Sequence, residues 1–189
     1  MTAMEILQTV LLILLTLPLM SQAVPVPARA SATPIRLGFR VIRDIPHRRE
    51  AFTQGLIWQN GSLLESTGRY GLSHVARINP ADGSVLDLLP LPAQYFGEGI
   101  ALGPQGDLLV LTWLSRIAIR LQSSPLAILE EKPLLHSTQG WGLTQWQGFF
   151  LASDGSSALY YLHPETLRPL QTLKVTFNGK PVPRLNELE

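Results

Sequence analysis

From residue 40 onward the apolar residues fall in short runs separated by turn signals, and none recurs at the 3.6-residue period of a helix. Laid against itself, the sequence brings three segments into register. They begin FTQGLIWQNGSLLEST at Phe52, FGEGIALGPQGDLLVLTW at Phe96 and QGWGLTQWQGFFLASD at Gln139. The period is about 44 residues, and Gly55 to Gly99 spans 44. Each repeat has one internal plan. A short strand (GLIW, GIAL, WGLT) leads to a turn at Asn60-Gly61, Gln105-Gly106 or Gln147-Gly148. Asn-Gly is a strong hairpin signal because both positions tolerate φ > 0. A second strand follows (SLLEST, DLLVLTW, FFLASD), then a third (HVARINP, RIAIRLQ, ALYYLHP). Turns at ADG, SSP and PET lead to a fourth (VLDLLPL, LAILEEKPL, LQTLKV).

Four short strands at this period describe a propeller blade, with the innermost strand facing a central channel. A sandwich would not show this self-similarity, and a solenoid would have shorter repeats. The fold class is therefore all-β, a propeller cut to about three blades, starting near 52, 96 and 139. Leu185-Asn186-Glu187-Leu188-Glu189 stands where a fourth blade begins. Leu37 to Ile45 reads as a strand ahead of the first blade. Three blades and a start do not close a ring, so the chain reads as a fragment or as a subunit completed by another copy. An open sheet edge would invite self-association.

The N-terminus is separate from this pattern. Thr9 to Met20 is an apolar stretch of signal-peptide length, and Ser21-Gln22-Ala23 offers small residues for cleavage. We expect a signal peptide over 1–23, a Pro/Ala linker over 24–35 and the partial propeller over 36–189. The expected location is secreted or periplasmic, with no stable membrane association after cleavage. The leader carries Glu5 and no Lys or Arg, so an uncleaved anchor is the alternative. A net charge of +1 gives no basis for nucleic-acid binding, and the absence of cysteine excludes disulfides and thiolate metal sites. Fifteen Gly and fifteen Pro suit a turn-rich β protein.

Candidate chemistry lies at the repeat starts. Glu98 is flanked by Gly97 and Gly99, which allow close approach of a ligand. Gln54 and Asn186 hold the equivalent place in other blades, so three polar groups point at one channel. Read alone, Glu98 fits a satisfied acid in a turn better than a catalytic group, and inner strands of many propellers bind only channel water. Trp113 and Trp141 fit pocket walls or inter-blade packing, and Trp58 and Trp146 fit packing or surface. His47, His74, His136 and His163 are scattered without metal-ligand spacing. Ser153-Asp154-Gly155-Ser156 has too few acids for a calcium loop and reads as a turn. We expect no metal and no cofactor.

Seven motifs, in order and in register over residues 41 to 189, give the chain a family resemblance. They are Ala51-Phe52-Thr53-Gln54-Gly55-Leu56; Glu65-Ser66-Thr67-Gly68-Arg69-Tyr70-Gly71; Tyr95-Phe96-Gly97-Glu98-Gly99; Leu111-Thr112-Trp113; Gly140-Trp141-Gly142-Leu143-Thr144; Ser153-Asp154-Gly155-Ser156; and Leu185-Asn186-Glu187-Leu188-Glu189. The sequence resembles the plant and bacterial type of glutaminyl-peptide cyclotransferase, a five-bladed β-propeller. The resemblance implies conversion of the N-terminal glutamine of peptides to pyroglutamate with release of ammonia. It implies Glu98 as the proton shuttle. It implies Phe52, Gln54, Phe96, Trp113, Trp141 and Asn186 as substrate-binding residues, with Asn186 on the amide. The partner it implies is a peptide or protein N-terminal glutamine. A Trp and a Lys that the family's pocket takes from later blades lie beyond Glu189. Thr144-Gln145-Trp146-Gln147-Gly148 and Ile45-Pro46-His47-Arg48 depart from the family pattern at places peripheral to the chemistry. A non-catalytic propeller that binds peptide or protein is the competing reading. A lactonase-type hydrolase would need several carboxylates at blade starts.

Overall fold

The structure is a computed structural model, and it describes residues 37–189. The expected signal peptide and linker lie outside the described residues. Within them the chain forms strands, turns and extended segments, without a helix.

Three four-stranded antiparallel sheets follow one another, each in simple up-and-down order. The first contains β1 (Thr53–Gln59), β2 (Ser62–Thr67), β3 (His74–Ile78) and β4 (Val85–Pro90). The second contains β5 (Gly97–Leu102), β6 (Leu108–Thr112), β7 (Ile117–Ser123) and β8 (Leu126–Pro133). The third contains β9 (Leu143–Trp146), β10 (Phe149–Ser153), β11 (Ala158–Leu162) and β12 (Pro169–Lys174). These are the three blades the repeat predicts. The sheets do not close on themselves among the described residues.

Turn chemistry sets the inner hairpins. Asn60 and Gly61 (φ 48° and 80°) join β1 to β2, and Gln147 and Gly148 (φ 50° and 86°) join β9 to β10. Two residues at positive φ match the strand twist, so the adjacent pairs Gln59–Ser62 and Trp146–Phe149 face each other directly. The middle hairpin differs from the expected Gln105-Gly106 turn. Pro104 fixes φ for a type I turn, which the Gly106 N–H closes onto the Gly103 carbonyl at 3.0 Å, and only Gly106 there has φ > 0.

The core lies between sheets. One cluster, including Leu64, Val75, Ile100, Leu108, Val110, Ile119 and Leu121, joins the first sheet to the second. Another, including Leu109, Leu111, Ala118, Leu143, Phe150 and Leu162, joins the second to the third. Along β6 alternate residues go to opposite clusters, which is why the middle blade reads as the unbroken apolar run LLVL. Each such fully buried aliphatic side chain contributes roughly 1.5–3 kcal/mol.

Three further features depart from expectation. Leu37 to Ile45 is not a strand. A strand needs a hydrogen-bonded neighbour, and this segment pairs with none of the described sheets, leaving Phe39 94% exposed. Side chains at its end and just beyond it tie the chain along the first blade instead, with Arg43 donating to the Pro80 carbonyl at 2.7 Å and His47 meeting Glu65 at 2.7 Å. The second departure is an additional hairpin of β13 (Thr176–Phe177) and β14 (Lys180–Pro181), turned by Asn178-Gly179. The third inner strand also begins at Leu143 rather than Trp141.

Candidate functional site

The inner strands begin irregularly, and the irregularity makes the site. The register between β1 and β2 slips between Thr53 and Gly55, and that between β5 and β6 slips between Gly97 and Ile100. Gln54 and Glu98 sit in these slips. Such bulges release a residue from the ladder and re-aim its side chain. Trp141, just ahead of β9, and Asn186 hold the same place in the next two repeats.

The position that follows is a packing joint. A Cβ on Gly55 would lie 2.6 Å from the Ile100 nitrogen, and one on Gly99 would lie 2.5 Å from the Leu143 nitrogen. One on Gly142 would overlap the Asn186 carbonyl at 1.9 Å. The repeated glycine thus lets each inner strand lie against the backbone of the next. Hydroxyls and amides lock the joints. Ser66 donates to the Glu98 carbonyl, the Gly99 N–H donates to the Trp141 carbonyl at 2.8 Å, and Ser153 donates to the Asn186 carbonyl at 2.7 Å.

Six of the seven residues singled out from the sequence come together here. Gln54, Phe96, Glu98, Trp113, Trp141 and Asn186 line one cavity of about 200 Å³. Phe52 does not line it. It packs edge-on against Phe96, with ring centroids 6.2 Å apart, and its own ring is covered by the Arg69 guanidinium at 5.5 Å. Phe96 is the hub of this wall, with Trp113 at 5.5 Å and Tyr70 at 5.6 Å. Two motif glycines act as seats for rings. A Cβ on Gly68 would strike the Phe96 ring at 2.0 Å, and one on Gly155 would meet the Trp141 ring at 2.8 Å.

Glu98 is 6% exposed, and among the described residues nothing hydrogen-bonds its carboxyl. Burial pushes its pKa up to about 8. The Glu187 carboxyl, one residue past Asn186, is pushed up as well, first by partial desolvation of its carboxyl, although the residue as a whole is exposed, and then by the nearby Glu189 and Glu98 charges. A carboxyl poised near neutrality beside two amides and three aromatic rings can accept and return a proton within a partly desolvated pocket. Among the described residues no three His, Asp or Glu side chains converge to hold a metal ion.

The raised Glu98 pKa has a measurable consequence for stability. Between about pH 4.5 and 8 the folded chain holds a proton that the unfolded chain has lost. Its contribution is therefore full below about pH 4.5 and is lost as pH rises through about 8. Glu98→Gln, which never ionises, is expected to match the unaltered chain at pH 5 and to exceed it at pH 9 by on the order of 1–3 kcal/mol. Urea melts at the two pH values check this. Equal stability at pH 9 would show that the carboxyl is well solvated.

Sequence reasoning passed over one member of this site. Gln139 accepts hydrogen bonds from the indole N–H of Trp113 at 3.0 Å and of Trp141 at 2.9 Å, through the same side-chain oxygen. The signal was present in the repeat, where Gln139 stands in the place held by Phe52 and Phe96.

Blades in sequence, with a polar pocket where their inner strands begin, define a β-propeller. The solved structures agree. The Myxococcus xanthus glutaminyl cyclase superposes with a TM-score of 0.71 at 29% identity, over 78% of this chain and 61% of that one. Virginiamycin B lyase from Staphylococcus aureus superposes with a TM-score of 0.54 at 16% identity, over 71% of this chain and 45% of that one, which is a likeness of fold. The family model of glutamine cyclotransferase matches residues 11–189. The Arabidopsis thaliana glutaminyl-peptide cyclotransferase is 37% identical over 151 residues, 79% of this chain and 46% of that protein. The chain belongs to the glutamine cyclotransferase family. It spans less than half the length of that plant relative.

Proposed function

We propose that the cavity at the blade starts is the centre of a glutaminyl-peptide cyclotransferase, in which an N-terminal glutamine becomes pyroglutamate and ammonia leaves. The observation that carries this reading is the unpartnered, nearly buried Glu98 carboxyl in a cavity it shares with Gln54, Asn186 and three aromatic rings. Membership of the family and the likeness to the plant and Myxococcus proteins support it.

In this reading the substrate's α-amine attacks its own side-chain amide carbon. The new C–N bond closes a five-membered ring, and the bond to the amide nitrogen breaks. The Glu98 carboxylate takes the proton that the attacking amine sheds and returns it to the departing nitrogen, which leaves as NH₃. Glu98 ends as it began, so one carboxyl serves as base and then acid. Gln54 and Asn186 orient the amide by hydrogen bonds, each offering both a donor and an acceptor. Phe96, Trp113 and Trp141 hold the short aliphatic side chain against the attacking amine and exclude water.

Mass spectrometry of two peptides tests the reading. The purified chain is expected to convert a Gln-starting peptide to its pyroglutamyl form and to leave the N-acetyl-Gln twin unchanged, because that twin has no free amine. An unchanged Gln-starting peptide, at enzyme levels where the spontaneous reaction is already exceeded by a known cyclotransferase, would count against it.

A further inference from the structure

We propose that Gln139 is a positioning residue, one that holds the indoles of Trp113 and Trp141 as a single unit and so sets the width of the pocket. An indole N–H is a donor only, so the atom between two of them has to be an acceptor. The two contacts, 3.0 Å from Trp113 and 2.9 Å from Trp141, therefore fix the Gln139 amide with its oxygen toward both rings. Both lone pairs of that oxygen are then used.

The backbone puts Gln139 within reach of both rings. The Gly140 N–H is shared between the carbonyls of Thr112 at 3.2 Å and Trp113 at 3.0 Å, which ties the start of the third blade to the end of β6. A Cβ on Gly140 would lie 2.8 Å from the Thr112 carbonyl oxygen, so the approach depends on glycine there. Trp113 comes from the second blade and Trp141 from the third, and their rings have no stacking contact with each other. Gln139 is the bridge. The first two repeats carry Phe52 and Phe96 at this place, where a ring packs against a ring. A third phenyl ring would leave two indole N–H groups without a partner, and leucine would do the same.

The consequence for catalysis rests on the cyclotransferase reading, whereas the clamp does not. Two variants separate the cases. Gln139→Leu removes the acceptor, and Gln139→Glu retains one. The direct readout is hydrogen exchange of the four indole N–H groups by ¹⁵N NMR, assigned with single Trp→Phe variants. Trp58 and Trp146, 62% and 53% exposed, serve as internal references for unprotected exchange, and an unchanged circular dichroism spectrum and melting midpoint show that each variant is folded. In Gln139→Leu the Trp113 and Trp141 indole protons are expected to exchange about ten-fold faster or more, with the controls unchanged. In Gln139→Glu both are expected to remain protected. Unchanged exchange in Gln139→Leu would overturn the clamp, and so would equal loss in the two variants.

Activity adds a second readout. With a Gln-starting peptide, Gln139→Leu is expected to lose on the order of 10²-fold in kcat/KM through misplaced walls. The rise is expected mainly in KM, with partial recovery in Gln139→Glu. Unchanged kcat/KM in Gln139→Leu would show that the clamp does not set the pocket. Absence of pyroglutamate with the unaltered chain would refute the cyclotransferase reading, and the indole exchange would still decide the clamp.

Discussion

Replacing Glu98 by Gln is expected to lower kcat/KM for a Gln-starting peptide by on the order of 10²- to 10⁴-fold, the usual range for loss of a positioned acid–base group. The substitution keeps the shape of the side chain and removes only its capacity to take and return a proton. Nothing in the fold opposes it, because the described residues leave the carboxyl without a hydrogen-bond partner. The loss therefore has an unusual companion, the gain in stability at alkaline pH derived above. An inactive chain that melts later at pH 9 separates a catalytic role from a structural one. A structural carboxyl would lose stability together with activity.

The second large effect is structural. Gly99→Ala is expected to cost about 3–5 kcal/mol and to lower the melting midpoint by roughly 10 °C or more. Its new methyl group would meet the Leu143 nitrogen at 2.5 Å, the Trp141 carbonyl oxygen at 2.7 Å and the Gly142 carbonyl carbon at 2.9 Å. All three are backbone atoms, so no side chain can rotate aside. Relief would require β5 to move away from β9, breaking the bond from Gly99 to the Trp141 carbonyl and opening the joint between two blades. Circular dichroism melts check this directly. A midpoint within a degree or two of the unaltered chain would show that the joint is loose. The adjacent residues Glu98 and Gly99 thus give opposite outcomes, one altering chemistry without loss of fold and the other the reverse.

The blades were legible because the chain states them three times. Period-2 alternation, the turn glycines and the repeat length agree with one another, and the first and third inner hairpins, whose turns depend on local residues alone, were the easiest part to read, whereas Pro104 changes the middle turn. Leu37 to Ile45 was misread because an extended apolar segment becomes a strand only beside a partner, and no local signal supplies one. The small hairpin at Asn178-Gly179 carried the same turn signal as Asn60-Gly61 but fell outside the repeat. At the site, six of the residues that the family resemblance implies line one cavity, and the repeat explains why Gln54, Glu98 and Asn186 share a register. Phe52 does not line the cavity, and its place in the repeat could not show that its ring packs edge-on against Phe96 instead. Gln139 was passed over because a lone glutamine says nothing until its two indole partners are seen together.

With its pKa raised to about 8 by burial, the Glu98 carboxyl is expected to pass readily between its ionised and protonated forms near neutral pH, as a group that acts first as base and then as acid must. A ¹³C NMR titration of the glutamate carboxyls, in the unaltered chain and in Glu98→Gln, tests it most directly. A carboxyl with its midpoint at about 8 is expected, absent in Glu98→Gln, while the Glu187 midpoint falls as its neighbouring charge is removed. A Glu98 that titrates near the ordinary value of 4.5 would contradict it.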